Sequence, residues 1–160
     1  MPYNVLDGLA PDVLYAPEQD IWVRMLDDGT MRVGATHLVA SHGQFMLFTP
    51  RPVGTEVARD RSLGVMETVK TAVAIHAPLT CRIVEVNASA VDNIHFVITD
   101  PYGSGWLMRI EPLQLDAERG TLLDAIAYRE WVEPRLGDKL VAPRENFGED
   151  DLHIDPHQGY

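Results

Sequence analysis

Hydrophobic and polar positions along this chain fall into short blocks rich in Val, Ile and Thr, separated by Gly, Pro, Asn and Asp, which is the pattern of a small all-β domain. Ile21 to Leu26 and Met31 to Val33 flank Asp27-Asp28-Gly29-Thr30. Glycine supplies a positive φ there and aspartate tolerates or caps the turn, so the pair is predicted as a hairpin. Gln44 to Phe48 is the next predicted strand, and Thr49-Pro50-Arg51-Pro52-Val53-Gly54 carries too much proline for a central strand and reads as a corner. Ser62 to Pro78 reads as two strands folding back around Lys70, with neither glycine nor proline at the tip. Ile83 to Val86 and Phe96 to Ile98 are predicted as strands around an Asn87 to Asn93 loop, and Trp106 to Ile110 as a strand after the Pro-Tyr-Gly-Ser-Gly turn.

Helical signals are few. Thr36 is placed to cap a short helix ending at Gly43, with Leu38 and Val39 inward. A closing helix begins near Thr121 or Asp124 and stops before Pro134: Thr121 with Asp124 satisfies a capping box, and Asp124 alone serves equally as a later N-cap. Residues 1–20, with Pro2, Gly8, Pro11 and Pro17, read as an irregular lead-in that packs through Val13, Leu14 and Tyr15. Residues 21–134 form the body, and 135–160 an acidic, loosely packed tail.

A chain of 160 residues with 46% hydrophobic content supports one domain with a real core. Its net charge of −11 and pI near 4.8 argue against nucleic acid and anionic membrane as partners, both of which demand positive surface. The single cysteine, Cys81, excludes an internal disulfide and fits a reducing, cytoplasmic setting. No stretch approaches the roughly 18 apolar residues of a membrane span, and Met1 to Leu14 lacks the basic start and apolar core of a secretion signal. His37, His42, His76, His95, His153 and His157 show no metal-ligand spacing, and no Ser-His-Asp order, phosphate loop or catalytic carboxylate pair is present. The chain is expected to be a monomer without catalysis of its own.

Lys70 is the candidate working residue: stability alone would favour Asn-Gly or Asp-Gly at a hairpin apex, so a lysine there is either an accident of a loose turn or a device that presents its amine. Glu67-Thr68-Val69-Lys70-Thr71-Ala72 resembles the lipoylation hairpin of the glycine cleavage H protein family. The resemblance extends over most of the chain through Ile21-Trp22-Val23-Arg24, Asp28-Gly29-Thr30 with Val33-Gly34, Pro52-Val53-Gly54-Thr55-Glu56-Val57, Val84-Glu85-Val86-Asn87, Asp100-Pro101-Tyr102-Gly103-Ser104-Gly105-Trp106-Leu107, and Leu122-Leu123-Asp124-Ala125 with Tyr128. It implies a mainly β, lipoyl/biotinyl-type barrel-sandwich hybrid with short flanking helices and a C-terminal helix. It also implies lipoic acid in amide linkage to Lys70, attached by a lipoate-protein ligase or lipoyl transferase, with Glu67 helping to present the hairpin. A strand-end carboxylate facing water is an equal reading of Glu67. Gly54 and Gly64 read as structural, Cys81 as a small inert residue in a turn near the arm, and His76 as a surface or turn histidine.

Biotin carriers flank their lysine with methionines, and Val69 and Thr71 take those places, so lipoate is preferred. The chain departs from H proteins at Gln19-Asp20-Ile21, at Phe48-Thr49 and at Cys81. Those departures set the chain apart from direct service in glycine decarboxylation, and the runs Pro52-Val53-Gly54-Thr55-Glu56-Val57-Ala58 and Glu67-Thr68-Val69-Lys70-Thr71 resemble the lipoate-binding proteins that serve a heterodisulfide-reductase-like complex in bacterial sulfur oxidation, which implies a dihydrolipoyl arm carrying sulfane sulfur. The alternative is a glycine cleavage H protein passing an aminomethyl group among the P, T and L proteins. A third is an unmodified binding or scaffold module of the same fold.

Overall fold

A computed structural model describes residues 5–40 and 45–137. Nine strands follow in chain order: β1 (Leu14–Ala16), β2 (Ile21–Met25), β3 (Met31–Ala35), β4 (Phe45–Pro50), β5 (Glu56–Val57), β6 (Ser62–Thr68), β7 (Ala72–His76), β8 (Cys81–Val86) and β9 (Met108–Pro112). Between and after them lie the short helices α1 (His37–Ala40), α2 (Ala88–Asp92), α3 (His95–Thr99), α4 (Leu115–Glu118) and α5 (Ala125–Val132). All strand pairs are antiparallel. They build a six-stranded sheet in the order β1-β2-β3-β9-β8-β5 and a three-stranded sheet in the order β4-β6-β7.

The expected first hairpin forms as read. Gly29 has φ of 85°, Leu26 donates to the Thr30 carbonyl, and the Asp28 carboxylate accepts from both the Thr30 amide and hydroxyl. In β2, however, Ile21, Trp22 and Val23 are all buried, where a one-sided strand would alternate. Both faces are covered: Ile21 and Val23 enter the main core between the sheets with Met31, Val33, Leu63, Met66, Ile83 and Ile110, and Trp22 points to a second cluster under α5. There Tyr15 stacks on Tyr128 with centroids 4.4 Å apart, and the Trp22 indole N–H donates to the Pro101 carbonyl at 2.9 Å.

Three expectations are corrected. Leu14–Ala16 in the lead-in is a regular strand paired with β2, because its backbone completes the sheet edge while Tyr15 is drawn into the second cluster. Asn87 to Asn93 is not an open loop: Asn87 caps α2 by accepting from the Ser89 amide and ties it down by donating to the Ser104 and Trp106 carbonyls. Phe96–Ile98 is not a strand but the middle of α3, since Val97 is completely buried in the main core and Phe96 and Asp100 join through a helical backbone bond. Tertiary burial overrides the β preference of this short apolar run. The last strand likewise begins at Met108, past Trp106.

The closing helix resolves the two open N-caps. Asp124 has extended backbone and its carboxylate accepts from the Ala127 amide at 2.8 Å, whereas the Thr121 hydroxyl bonds to the Glu118 carbonyl. Leu38 and Val39 of α1 are buried as expected, with Gly43 and Gln44 outside the described residues, as are His42, His153, His157 and the tail beyond residue 137.

Gly64 lies where β6 passes the bend at the end of β4. A Cβ there would stand 2.6 Å from the Thr49 carbonyl oxygen and 2.9 Å from the Pro50 Cα, both fixed backbone atoms. Gly64→Ala is expected to cost about 1–3 kcal/mol, read as a lower urea midpoint at unchanged slope. Gly120→Ala, with open space around it, should stay within about 0.5 kcal/mol of the parent. Equal midpoints for the two variants would contradict the close approach.

Candidate functional site

The hairpin β6–β7 has one strand, β6, held on both sides and a tip closed by one hydroxyl and one backbone bond. β6 is the middle strand of its sheet, paired to β4 along Thr49↔Val65 and Leu47↔Glu67 and to β7 along Met66↔Val73 and Glu67↔Ala72. Its residues Ser62 to Met66 are all buried. Beyond Thr68 the chain turns through Val69, Lys70 and Thr71 and re-enters the sheet at Ala72.

Three-residue hairpin turns ordinarily place one residue in the left-handed region, favouring glycine. Here none of the tip residues has positive φ. The Thr68 side chain does the closing instead: its oxygen accepts from the Lys70 amide at 3.2 Å and the Thr71 amide at 3.1 Å, and its hydroxyl donates to the Thr71 carbonyl at 3.2 Å. One backbone bond, from the Thr68 amide to the same carbonyl at 2.8 Å, completes the turn. The hydroxyl's single donor and two acceptor positions are thereby all used. A Thr two residues ahead of a turn is a known side-chain-to-backbone clasp, and that signal in Thr68-Val69-Lys70-Thr71 was available in the sequence.

Lys70 is exposed at this tip, and Val69 beside it is 77% exposed. Glu67 is also exposed, and no ion pair joins it to Lys70. An amine with short neighbours, no carboxylate to give up and a fixed stem fits an enzyme-attached acyl group, because acylation here neither uncovers a buried charge nor breaks a salt bridge. The chain has two lysines in all, Lys70 and Lys139, against eleven arginines, and Lys139 lies outside the described residues.

Next to the hairpin, β4 carries a bulge between Phe45 and Leu47, which leaves Met46 and Leu47 both exposed and interrupts the alternation expected of a strand. On the other side a cleft runs along β7, lined by Gln19, Asp20, Ile21, Val39, Val73, Ala74 and Ile75. Asp20 sits in the left-handed region with φ of 60°, buried at the mouth of β2. Sequence reading found neither feature, since each comes from the meeting of distant segments.

His76 is corrected: it is buried at the end of β7, opposite Ser62, and is not a surface histidine. Cys81 is buried and is not in a turn near the tip; it opens β8 in the six-stranded sheet, with Val57 and Pro112 as its ladder partners. Burial, with the Glu118 carboxylate adding to it, pushes its thiol up to about 12. Among the described residues no group of His, Cys, Asp and Glu could hold a metal ion, and no helix is long and apolar enough to cross a membrane.

The two-sheet β architecture with a lysine hairpin and a C-terminal helix defines a lipoyl-type carrier domain of the barrel-sandwich class. The glycine cleavage H-protein family model matches residues 13–135, so the chain belongs to that family. It is 39% identical over 123 residues to the glycine cleavage system H protein of Halorhodospira halophila, covering 76% of this chain and 94% of that one. It is 36% identical over 130 residues to the protein of the same name from Mycolicibacterium vanbaalenii, covering 79% and 98%. The crystal structure of a glycine cleavage system H protein from Mycobacterium marinum superposes with a TM-score of 0.68 at 33% identity, covering 78% of this chain and 99% of that one. Members of the family are non-catalytic carriers whose cofactor is lipoate bound covalently to a lysine. The expected sulfur-oxidation role finds no support in these relatives, which bear the glycine cleavage name.

A thiol raised to about 12 stays protonated at neutral pH, and the thiolate is the reactive form. Cys81 in the native protein should therefore resist a thiol reagent at pH 8 and react in denaturant, followed by absorbance of the released chromophore. Rapid labelling of the native protein would show that the site is open.

Proposed function

We propose that this protein is the lipoyl carrier of a glycine cleavage system, working in the cytoplasm, with lipoate in amide linkage to Lys70 and an aminomethyl unit passed among the P, T and L proteins. The observation that carries the proposal is the exposed amine of Lys70, with no ion pair among the described residues, at the tip of a hairpin whose β6 strand is buried in the sheet. Lys70 is also the one lysine within the family match of residues 13–135. Bound lipoate supplies a strained disulfide able to take up a carbon unit and electrons at its sulfurs. The chain's own residues supply everything else. The β6 stem fixes the anchor point, Val69 and Thr71 leave the amine open to a ligase, and Glu67 offers an acidic contact on the same hairpin. A fixed anchor matters because the reach of the arm is then set by its own length and not by drift of its base.

A second reading, delivery of sulfane sulfur to a heterodisulfide-reductase-like complex, rests on the departures from the H-protein pattern. Their surroundings weaken it. Cys81 is sealed with a raised thiol pKa, Phe48 is buried in the main core and Thr49 is half-buried, so these substitutions act on packing. The names of the relatives also favour glycine cleavage.

Expression with lipoate and a lipoate-protein ligase should give a single lipoyl adduct on the Lys70 peptide by intact mass and peptide mapping. Lys70→Arg should abolish it with an unchanged melting temperature, because arginine keeps an exposed cation and removes the acylable amine. An unmodified Lys70 under these conditions would leave the scaffold-module reading. The lipoylated protein is then offered to glycine decarboxylase and, separately, to the sulfur-oxidising complex with a sulfane donor. Aminomethyl loading is the expected result, and sulfur-dependent turnover without it would reverse the assignment.

A further inference from the structure

We propose that Thr68 is the positioning residue for acylation of Lys70: its hydroxyl clasps the tip so that the lysine backbone is held in one orientation before the ligase arrives. The inference rests on Lys70 being the attachment site. It comes from the geometry of the turn, in which the Thr68 side chain reaches the Lys70 amide at 3.2 Å, the Thr71 amide at 3.1 Å and the Thr71 carbonyl at 3.2 Å. Without that oxygen both amides lose their partner, and the tip keeps a single closing bond from the Thr68 amide.

The consequence for the reaction is entropic. In the acylation step the free amine of Lys70 attacks the acyl carbon of an activated lipoyl donor such as the acyl adenylate. The C–N bond forms, the bond to the leaving group breaks with its electron pair departing on that group, and the nitrogen releases a proton to solvent. Thr68 takes no part in this exchange of bonds. It raises the fraction of protein whose lysine stem already points where the ligase can accept it, and an apparent affinity is weakened by the inverse of that fraction. The lysine stem itself remains free, so what is fixed is its point and direction of departure. No glycine in the tip is needed, because the hydroxyl supplies the closure that a left-handed residue supplies elsewhere.

Thr68→Val keeps the β-branched shape and removes the hydroxyl, and Thr68→Ser keeps the hydroxyl and removes the methyl. Steady-state lipoylation by purified ligase should show KM for the Val variant raised about tenfold, with kcat little changed, and the Ser variant close to the parent. Amide hydrogen exchange should show protection at Lys70 and Thr71 in the parent and Ser proteins and its loss in the Val protein. If the Val variant does not fold, Thr68→Ala carries the same comparison. Unchanged KM with lost protection would overturn the positioning role, and retained protection would overturn the clasp. If the parent itself is not acylated at Lys70, the attachment reading fails and this inference with it; if the parent is acylated and the Val variant is acylated equally well, only the role of Thr68 fails.

Discussion

The burial of β6 as the middle strand of a three-stranded sheet is the constraint on which the site depends. From Ser62 to Met66 its residues are buried, and from Gly64 to Glu67 its backbone is paired on both edges, so the strand is fixed up to the start of the turn. Everything exposed at the hairpin is an extension of that fixed segment by a few residues. The close approach at Gly64 belongs to the same constraint, because the strand can lie this deep only where it carries no side chain against the Thr49 carbonyl.

A second layer of order comes from the way β2 is covered on both faces. Trp22 closes one side against Pro101 and the Tyr15–Tyr128 stack, and Ile21 and Val23 close the other against the main core. The C-terminal helix is thereby tied to the first strands of the chain: Tyr15 and Leu123 exchange backbone bonds at 2.7 and 2.8 Å. Arg129 adds a surface pair with Asp7 at 3.1 Å, of a kind that contributes little by itself. Packing of aromatic rings does the larger part.

What the sequence made legible was mostly local. The Asp27 to Thr30 turn, the Asp124 cap and the lysine at the hairpin tip are each decided within a few residues, and the family motifs supplied the architecture. What it concealed depended on distant partners. Phe96 to Ile98 has the composition of a strand, and only the core waiting for Val97 and the Asn87 anchor makes it helical. His76 is buried at the end of β7 opposite Ser62 of β6, a pairing that its neighbours in sequence do not reveal. The bulge that exposes both Met46 and Leu47 arises from pairing register, and the left-handed Asp20 from the corner between β1 and β2.

The chain's basic side chains are mostly guanidinium, eleven arginines to two lysines, and Arg24, Arg59, Arg82, Arg109, Arg119 and Arg129 all pair with carboxylates. Arginine stays protonated and does not act as an acyl acceptor under ordinary conditions. The charge needed for solubility and surface pairing is therefore carried by groups blind to an activated acid. Among the described residues Lys70 is the one lysine amine offered to an electrophile, so discrimination against mistaken acylation is written into the amino-acid usage there before any enzyme exercises a choice.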